Sequence, residues 1–145
     1  MKLGWEDLLI QNVDQALVIK CLGYWSRLLP QRRHRVVFMN RLGEWFLQTD
    51  DQKYYRISVL SGTADVIANG DQEFSLSVNS PEWQEENLWS LRVFAWKKGG
   101  LNPSSGQVYA PVPHPGLMNG EISQQAMVMD LEVWQHIAAQ TLGFT

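Results

Sequence analysis

Little in this chain announces a chemistry. One of its 145 residues is cysteine, Cys21, so no internal disulfide can form, and the disulfide-stapled secreted class is excluded. The three histidines, His34, His114 and His136, fall on different stretches, and with Cys21 they make no metal-ligand spacing. Neither G-x-x-x-x-G-K-[ST] nor G-x-G-x-x-G occurs, so no phosphate-cradling loop is expected. Ser104-Ser105-Gly106 lacks the strand–turn–helix frame of a nucleophile elbow. No run approaches the roughly 20 apolar residues of a membrane span. A secretory leader is not seen either, because Lys2 is soon followed by Glu6 and Asp7, and the longest early apolar run is Ala16 to Ile19. The expectation is a cytoplasmic protein with no membrane association and no bound cofactor or metal.

Cations also run out, since no Lys or Arg follows Lys98. Residues 1–60 carry a formal charge of +3 and residues 61–145 a charge of -6, which gives the net -3. An overall acidic chain is a poor general coat for nucleic acid, so direct nucleic-acid binding is not expected. The basic cluster Arg32-Arg33-His34-Arg35 reads as a solvated connector, with no interleaved aromatics beside it. What the chain has in plenty is aromatic surface: seven Trp, four Tyr and five Phe. With 45% hydrophobic and 19% charged residues, 1–145 reads as one globular domain.

Periodicity sets the elements. Apolar residues from Trp5 to Leu28 recur at helical steps, which predicts an N-terminal helical segment over 1–29, split near Asn12 with Asp14 capping its second part. Pro30 stops it. From Val36 to Ala68 short runs and turn signals alternate: Gly43, then Asp50 to Lys53, then Ser61-Gly62, then Asn69-Gly70. This predicts an antiparallel meander of about four strands. Ser80-Pro81-Glu82 opens, and Lys97-Lys98-Gly99-Gly100 closes, one central helix. Further strands are expected at Gln107 to Ala110 and Ala126 to Met129, and a last helix is capped by Asp130. The fold class is therefore α+β, a small antiparallel sheet of four to six strands flanked by N-terminal, central and C-terminal helices.

Cys21 lies on an apolar helical stripe, where a thiol serves as a small hydrophobe. The paired carboxylates Asp50-Asp51 and Glu85-Glu86 sit in a turn and on a helix, positions that face solvent. Trp83 and Trp89 flank the second acidic pair; core packing is the simpler reading, and a partner-binding anchor the other. The stretch Ala110 to Met118 carries alternating prolines and is expected to be stiff and extended. It suits an interaction surface or a strap over the sheet equally.

The stretches Tyr24-Trp25 to Leu29-Pro30, Gly43-Glu44-Trp45-Phe46-Leu47-Gln48-Thr49-Asp50 and Tyr55-Arg56-Ile57-Ser58 come in a characteristic order. They are followed by Gly106-Gln107-Val108-Tyr109, Pro111, Gly120 and Asp130-Leu131-Glu132-Val133-Trp134. This series resembles the C-terminal domain of type VI secretion immunity proteins, a bacterial family that includes protectors against a DNase effector and is itself similar to the SUKH immunity superfamily. The resemblance spans residues 24–143. It departs from the family at Pro113 to Gly120, where relatives tend to carry a glycine-rich turn. It implies a non-enzymatic protein that binds and neutralises a cognate toxin, with a nuclease effector as one case, and it carries no catalytic residue.

A phosphate-gripping toxin is basic, and acidic groups would steer it. The expected partner contacts are therefore Asp50, Asp51, Glu85 and Glu86, with His114 and Met118 from the proline loop. The competing readings are a small-molecule binding or sensing domain with an aromatic-lined pocket, and an enzyme carrying a strongly perturbed ionisable group in a cleft.

Overall fold

The computed structural model describes residues 2–145. Two short helices lead, α1 (Trp5–Leu8) and α2 (Gln15–Gly23), followed by strands β1 (His34–Met39), β2 (Trp45–Thr49), β3 (Tyr54–Ser58) and β4 (Thr63–Ala68). Three helices come next: α3 (Asp71–Ser77), α4 (Pro81–Leu88) and α5 (Ser90–Lys98). The chain ends with β5 (Gln107–Pro111), β6 (Ala126–Asp130) and α6 (Leu131–Thr141). The fold is α+β, as the sequence predicts.

Strands β1 to β4 pair antiparallel in chain order. Because side chains alternate along a strand, the register Trp45↔Ile57 and Phe46↔Arg56 divides the sheet into two faces. Trp45, Leu47 and Ile57 point to one, where α2 and α6 pack. There Gln135 of α6, wholly buried, accepts on Oε1 from the indole N–H of Trp25 at 2.6 Å and of Trp45 at 3.0 Å. Its Nε2 donates to the Gly43 carbonyl at 2.7 Å, and the Trp134 indole donates to the Leu42 carbonyl at 2.9 Å. Each buried polar atom of these aromatics is thereby satisfied, which lets large residues fill the core without an unpaired donor. On the other face Phe74 of α3 stacks on Tyr54 with centroids 4.0 Å apart, and Trp83 of α4 packs against Phe46 at 6.1 Å.

The turn before β2 depends on Gly43. Its φ of +84° is strained for any side chain, and an added Cβ would lie 2.8 Å from Gln135 Nε2. Gly43→Ala is expected to lower stability by roughly 1–3 kcal/mol, read as a lower midpoint in thermal unfolding. An unchanged midpoint would contradict the close approach of this turn to α6.

Two expectations need correction. The central helix is broken: α4 ends and α5 begins at Trp89, which adopts a left-handed conformation (φ 57°, ψ 41°), and α3 precedes them as a separate helix. Asp14 and Asp130 stand at the N-cap positions of α2 and α6, but neither side chain accepts a cap hydrogen bond. Asp130 instead accepts from Gln107 Nε2 at 3.2 Å. The main sheet has four strands, within the expected range, and β5 and β6 form a separate two-stranded ribbon. Ser80 does cap α4 as read from the sequence, its hydroxyl accepting from the Trp83 N–H at 3.0 Å.

Candidate functional site

One charged side chain sits wholly inside the fold. Glu44 lies at the mouth of β2 with its side chain fully out of solvent. Its Oε1 accepts from Asn40 Nδ2 at 2.9 Å, Arg56 Nη2 at 2.9 Å and Trp89 Nε1 at 2.7 Å. Glu44 Oε2 and Arg56 Nε are both buried with no hydrogen-bond partner among the described residues. Arg56, its side chain 16% exposed, also donates through Nη1 to the Glu86 carbonyl at 2.9 Å, and its guanidinium lies 5.8 Å from the centroid of the Trp89 ring. Burying an ion costs several kcal/mol unless it is paired, so this node binds β2 and β3 to the α4–α5 elbow. Holding Trp89 left-handed costs of order 1–3 kcal/mol, which its indole bond to Glu44 helps to offset.

Two adjoining clefts open over this node, and Arg56 and Asp65 line both. The first, about 270 Å³, lies between β3–β4, the Trp89 ring and the 115–122 loop, which contributes Pro115, Gly120 and Ile122. The second, about 330 Å³, runs toward α4 and is walled by Trp83, Glu86 and Asn87. Asp65 of β4 is the cross-strand partner of Arg56, yet Arg56 pairs with Glu44, and the Asp65 carboxylate has no ion-pair or hydrogen-bond partner among the described residues. Beyond Glu86 a broader, largely apolar hollow of about 530 Å³ is rimmed by Glu82, Glu85 and Glu86. Leu91 stands in it 71% exposed.

The expected contact residues divide. Glu85 and Glu86 are on this shoulder, and Glu85 also accepts from the Leu91 N–H at 3.2 Å, capping α5 in part. Asp50 and Asp51 are at the β2–β3 turn, on other elements. They face Arg32, at 2.8 and 3.8 Å, so their charge is already countered locally. The Thr49 hydroxyl, helped by the Lys53 backbone N–H and then by the charges of Arg32 and Lys53, holds the Asp51 carboxyl below its usual range against desolvation. Met118 is 38% exposed beside Leu117 at 69%, next to but not lining the first cleft.

His114 corrects the expectation of a surface contact, being only 3% exposed. Its ring nitrogens are both engaged: Nδ1 accepts from the Gly116 N–H at 2.9 Å, which fixes Nε2 as the donor to the Val59 carbonyl, also at 2.9 Å. The proline stretch is likewise not uniformly extended, because Pro115–Leu117 forms a 3-10 turn. Burial holds the His114 imidazole below its ordinary range, although the bond to Val59 works the other way. The unfolded chain then binds this proton more readily than the folded one. His114 therefore contributes stability above its unfolded pKa of about 6.5 and loses it as pH falls through the lower folded value. His114→Gln is expected to flatten the fall in stability between pH 7 and pH 5, measured by urea unfolding at each pH. An equal slope in both proteins would contradict this.

Glu44, Arg56, Asp65 and Trp89 escape sequence reading as a group. The signal available was Glu44 itself, an acid placed directly before the apolar run Trp45-Phe46-Leu47. Elsewhere, Arg41 is buried and donates to five backbone carbonyls, those of Glu6, Leu9, Pro103, Ser104 and Gln107, and so staples the N-terminal segment to the 101–107 loop. Cys21 is fully buried, and desolvation pushes its thiol up to about 11, a packing residue rather than a nucleophile. Among the described residues no group of three or more His, Cys, Asp or Glu is arranged to hold a metal ion. No helix among them is long and apolar enough to cross a membrane.

No family model matches the sequence, and no curated protein is significantly similar to it. Among solved structures, that of Atu4351 from Agrobacterium tumefaciens superposes with a TM-score of 0.52 at 17% identity, over 84% of this chain and 63% of that one. At that identity the likeness speaks to the fold alone. The chain matches less than two thirds of that protein's length.

Proposed function

We propose that this protein is a non-enzymatic binding protein that captures and neutralises a basic protein toxin, the role that the resemblance to immunity proteins implies. The observation that supports this reading is the shoulder at α4–α5. An exposed Leu91 stands in an apolar hollow whose charged rim, Glu82, Glu85 and Glu86, is all of one sign. An apolar centre supplies desolvation energy and an acidic rim supplies steering, the combination by which interfaces select a cationic partner. The two clefts continue this surface through Glu86 toward Asp65. A nuclease that grips phosphates is one partner of that chemistry.

The test is a rescue by co-expression. The reading frame beside this gene is induced in a bacterial host alone and together with this protein. The expected outcome is killing by the neighbour alone and survival, with a co-purifying complex, when both are present. A harmless neighbour, or killing that persists with this protein in excess, would overturn the reading.

A further inference from the structure

We infer that the outer edge of β1, beside α2, is a docking groove for an extended peptide segment of a partner, apolar and acidic at alternate positions. This edge of the sheet lies away from β4, and the inference does not depend on the toxin reading above.

Main-chain hydrogen bonding carries it. The Asp50 N–H donates to the Arg33 carbonyl at 2.9 Å, and Arg35 stands opposite Gln48. Successive residues of a strand turn their backbone groups to opposite sides. Arg33 and Arg35 therefore face β2, and His34 and Val36 face outward. Among the described residues, neither the N–H nor the C=O of His34 or Val36 has a hydrogen-bond partner.

The other end of the same edge already holds an extended segment. Leu9 bridges antiparallel to Asn40, and the Ile10 N–H donates to the Met39 carbonyl at 3.1 Å. The Arg41 N–H donates in return to the Leu8 carbonyl at 2.8 Å. Asn12, left-handed at φ 57°, then turns the chain away into α2. A bulge between Val36 and Phe38 separates the occupied stretch from the free one. This edge accepts antiparallel backbone within the molecule itself, and His34 to Val36 is the part left open.

Side chains decide what fits. Val36 stands opposite Leu47, so His34 and Val36 lie on the sheet face where α2 packs. With Val18, Ile19 and Leu22 of α2 they wall a groove of about 480 Å³, which no carboxylate lines. Ile19 stands there 66% exposed. On the other face Arg35 donates to the neutral Gln48 Oε1 at 2.6 Å, and Arg33 makes no side-chain bond among the described residues. Neither arginine has an ion-pair partner among them, in a chain whose net charge is -3.

An antiparallel guest would run from Val36 toward Arg33. Its residues opposite Val36 and His34 would turn to α2, and those opposite Arg35 and Arg33 to the arginines. Cross-strand pairing then selects apolar side chains at the first two positions and Asp or Glu at the other two. A second copy of this chain fits worse, because pairing β1 with itself sets the arginines of both copies against each other.

The probe is the end-blocked peptide Gly-Thr-Val-Glu-Val-Glu-Thr-Gly, titrated against the full chain by NMR. The expected result is a saturable shift of the His34 and Val36 amide resonances, with those of β4 on the far edge unmoved. N-methylation of both valines removes the donors that face β1, and should weaken binding roughly tenfold. Lysine in place of both glutamates should weaken it by a similar factor. Arg33→Glu should weaken the acidic peptide about fivefold and strengthen the lysine one. Arg33 is exposed and makes no side-chain bond among the described residues, so the fold should hold. No saturable shift, equal binding of the N-methylated peptide, or an Arg33→Glu protein that binds both peptides as before would each overturn the proposal. Shifts of the same amides on raising protein concentration without peptide would give the edge to a second copy, and would overturn it too. Peptide binding and toxin rescue can each fail without the other.

Discussion

Glu44→Leu is expected to cost about 3–5 kcal/mol of folding stability, the range found when one partner of a buried ion pair is removed. The loss has little to do with the size of the leucine. It arises because Arg56, 16% exposed, keeps its charge, and the Asn40 amide and the Trp89 indole lose their acceptor in the same step. The left-handed Trp89 then loses the indole bond that helps to hold it, so the α4–α5 elbow should loosen first. Replacing Arg56 by methionine as well should recover much of the stability, since an apolar pair of similar volume is often neutral against a buried ion pair. Urea unfolding of both variants measures this, with unchanged slope as the sign that two-state behaviour persists. A single-variant loss under about 1 kcal/mol would mean that the node is a solvated surface pair.

Glu82→Gln, Glu85→Gln and Glu86→Gln together are expected to weaken the proposed toxin complex on the order of 100-fold, from roughly 1 kcal/mol for each rim charge. The fold should not suffer. Glu82 and Glu86 make no side-chain hydrogen bond among the described residues, and a glutamine at 85 keeps an acceptor for the Leu91 N–H. Because rim charges act at a distance, most of the loss should be in the association rate, and the remaining affinity should depend far less on salt. Leu91→Ala should act the other way, leaving association alone and raising dissociation, as expected of a side chain that is 71% exposed when free and buried in the complex. Surface plasmon resonance at 50 and 300 mM salt separates the two. A triple variant with wild-type affinity and salt slope would place the interface elsewhere.

Much of the architecture was legible because it follows from local rules. The meander β1 to β4 is written in alternation and turn residues, and the Ser80-Pro81 start of α4 is a capping sequence that performs as one. The misses share a cause. Helix α3 has few apolar residues to carry a period, and is held by Asp71, whose Oδ1 accepts from the Tyr54 hydroxyl at 2.5 Å and from Gln48 at 2.8 Å. At the break, the Trp89 indole is tied to Glu44, 45 positions earlier. His114 looks like an exposed loop residue until the Val59 carbonyl, 55 positions away, is found to receive its proton. Tertiary hydrogen bonds of this span leave no mark in a window of ten or fifteen residues. The candidate site was legible only in part: Glu85 and Glu86 were chosen for their charge, whereas Asp65 and Arg56 became notable only once register showed them opposite, with Arg56 paired to Glu44 instead.

The most direct test of the account is amide hydrogen exchange of this protein free and in complex with the toxin recovered by rescue. Opening free energies report local burial, so an interface appears as protection on its own elements. The account predicts added protection over residues 81–91 and at 63–67 of β4, with the β2–β3 turn and Arg32 to Arg35 unchanged. Protection confined to the basic edge at 32–35 and 48–53, with α4 and β4 untouched, would contradict it.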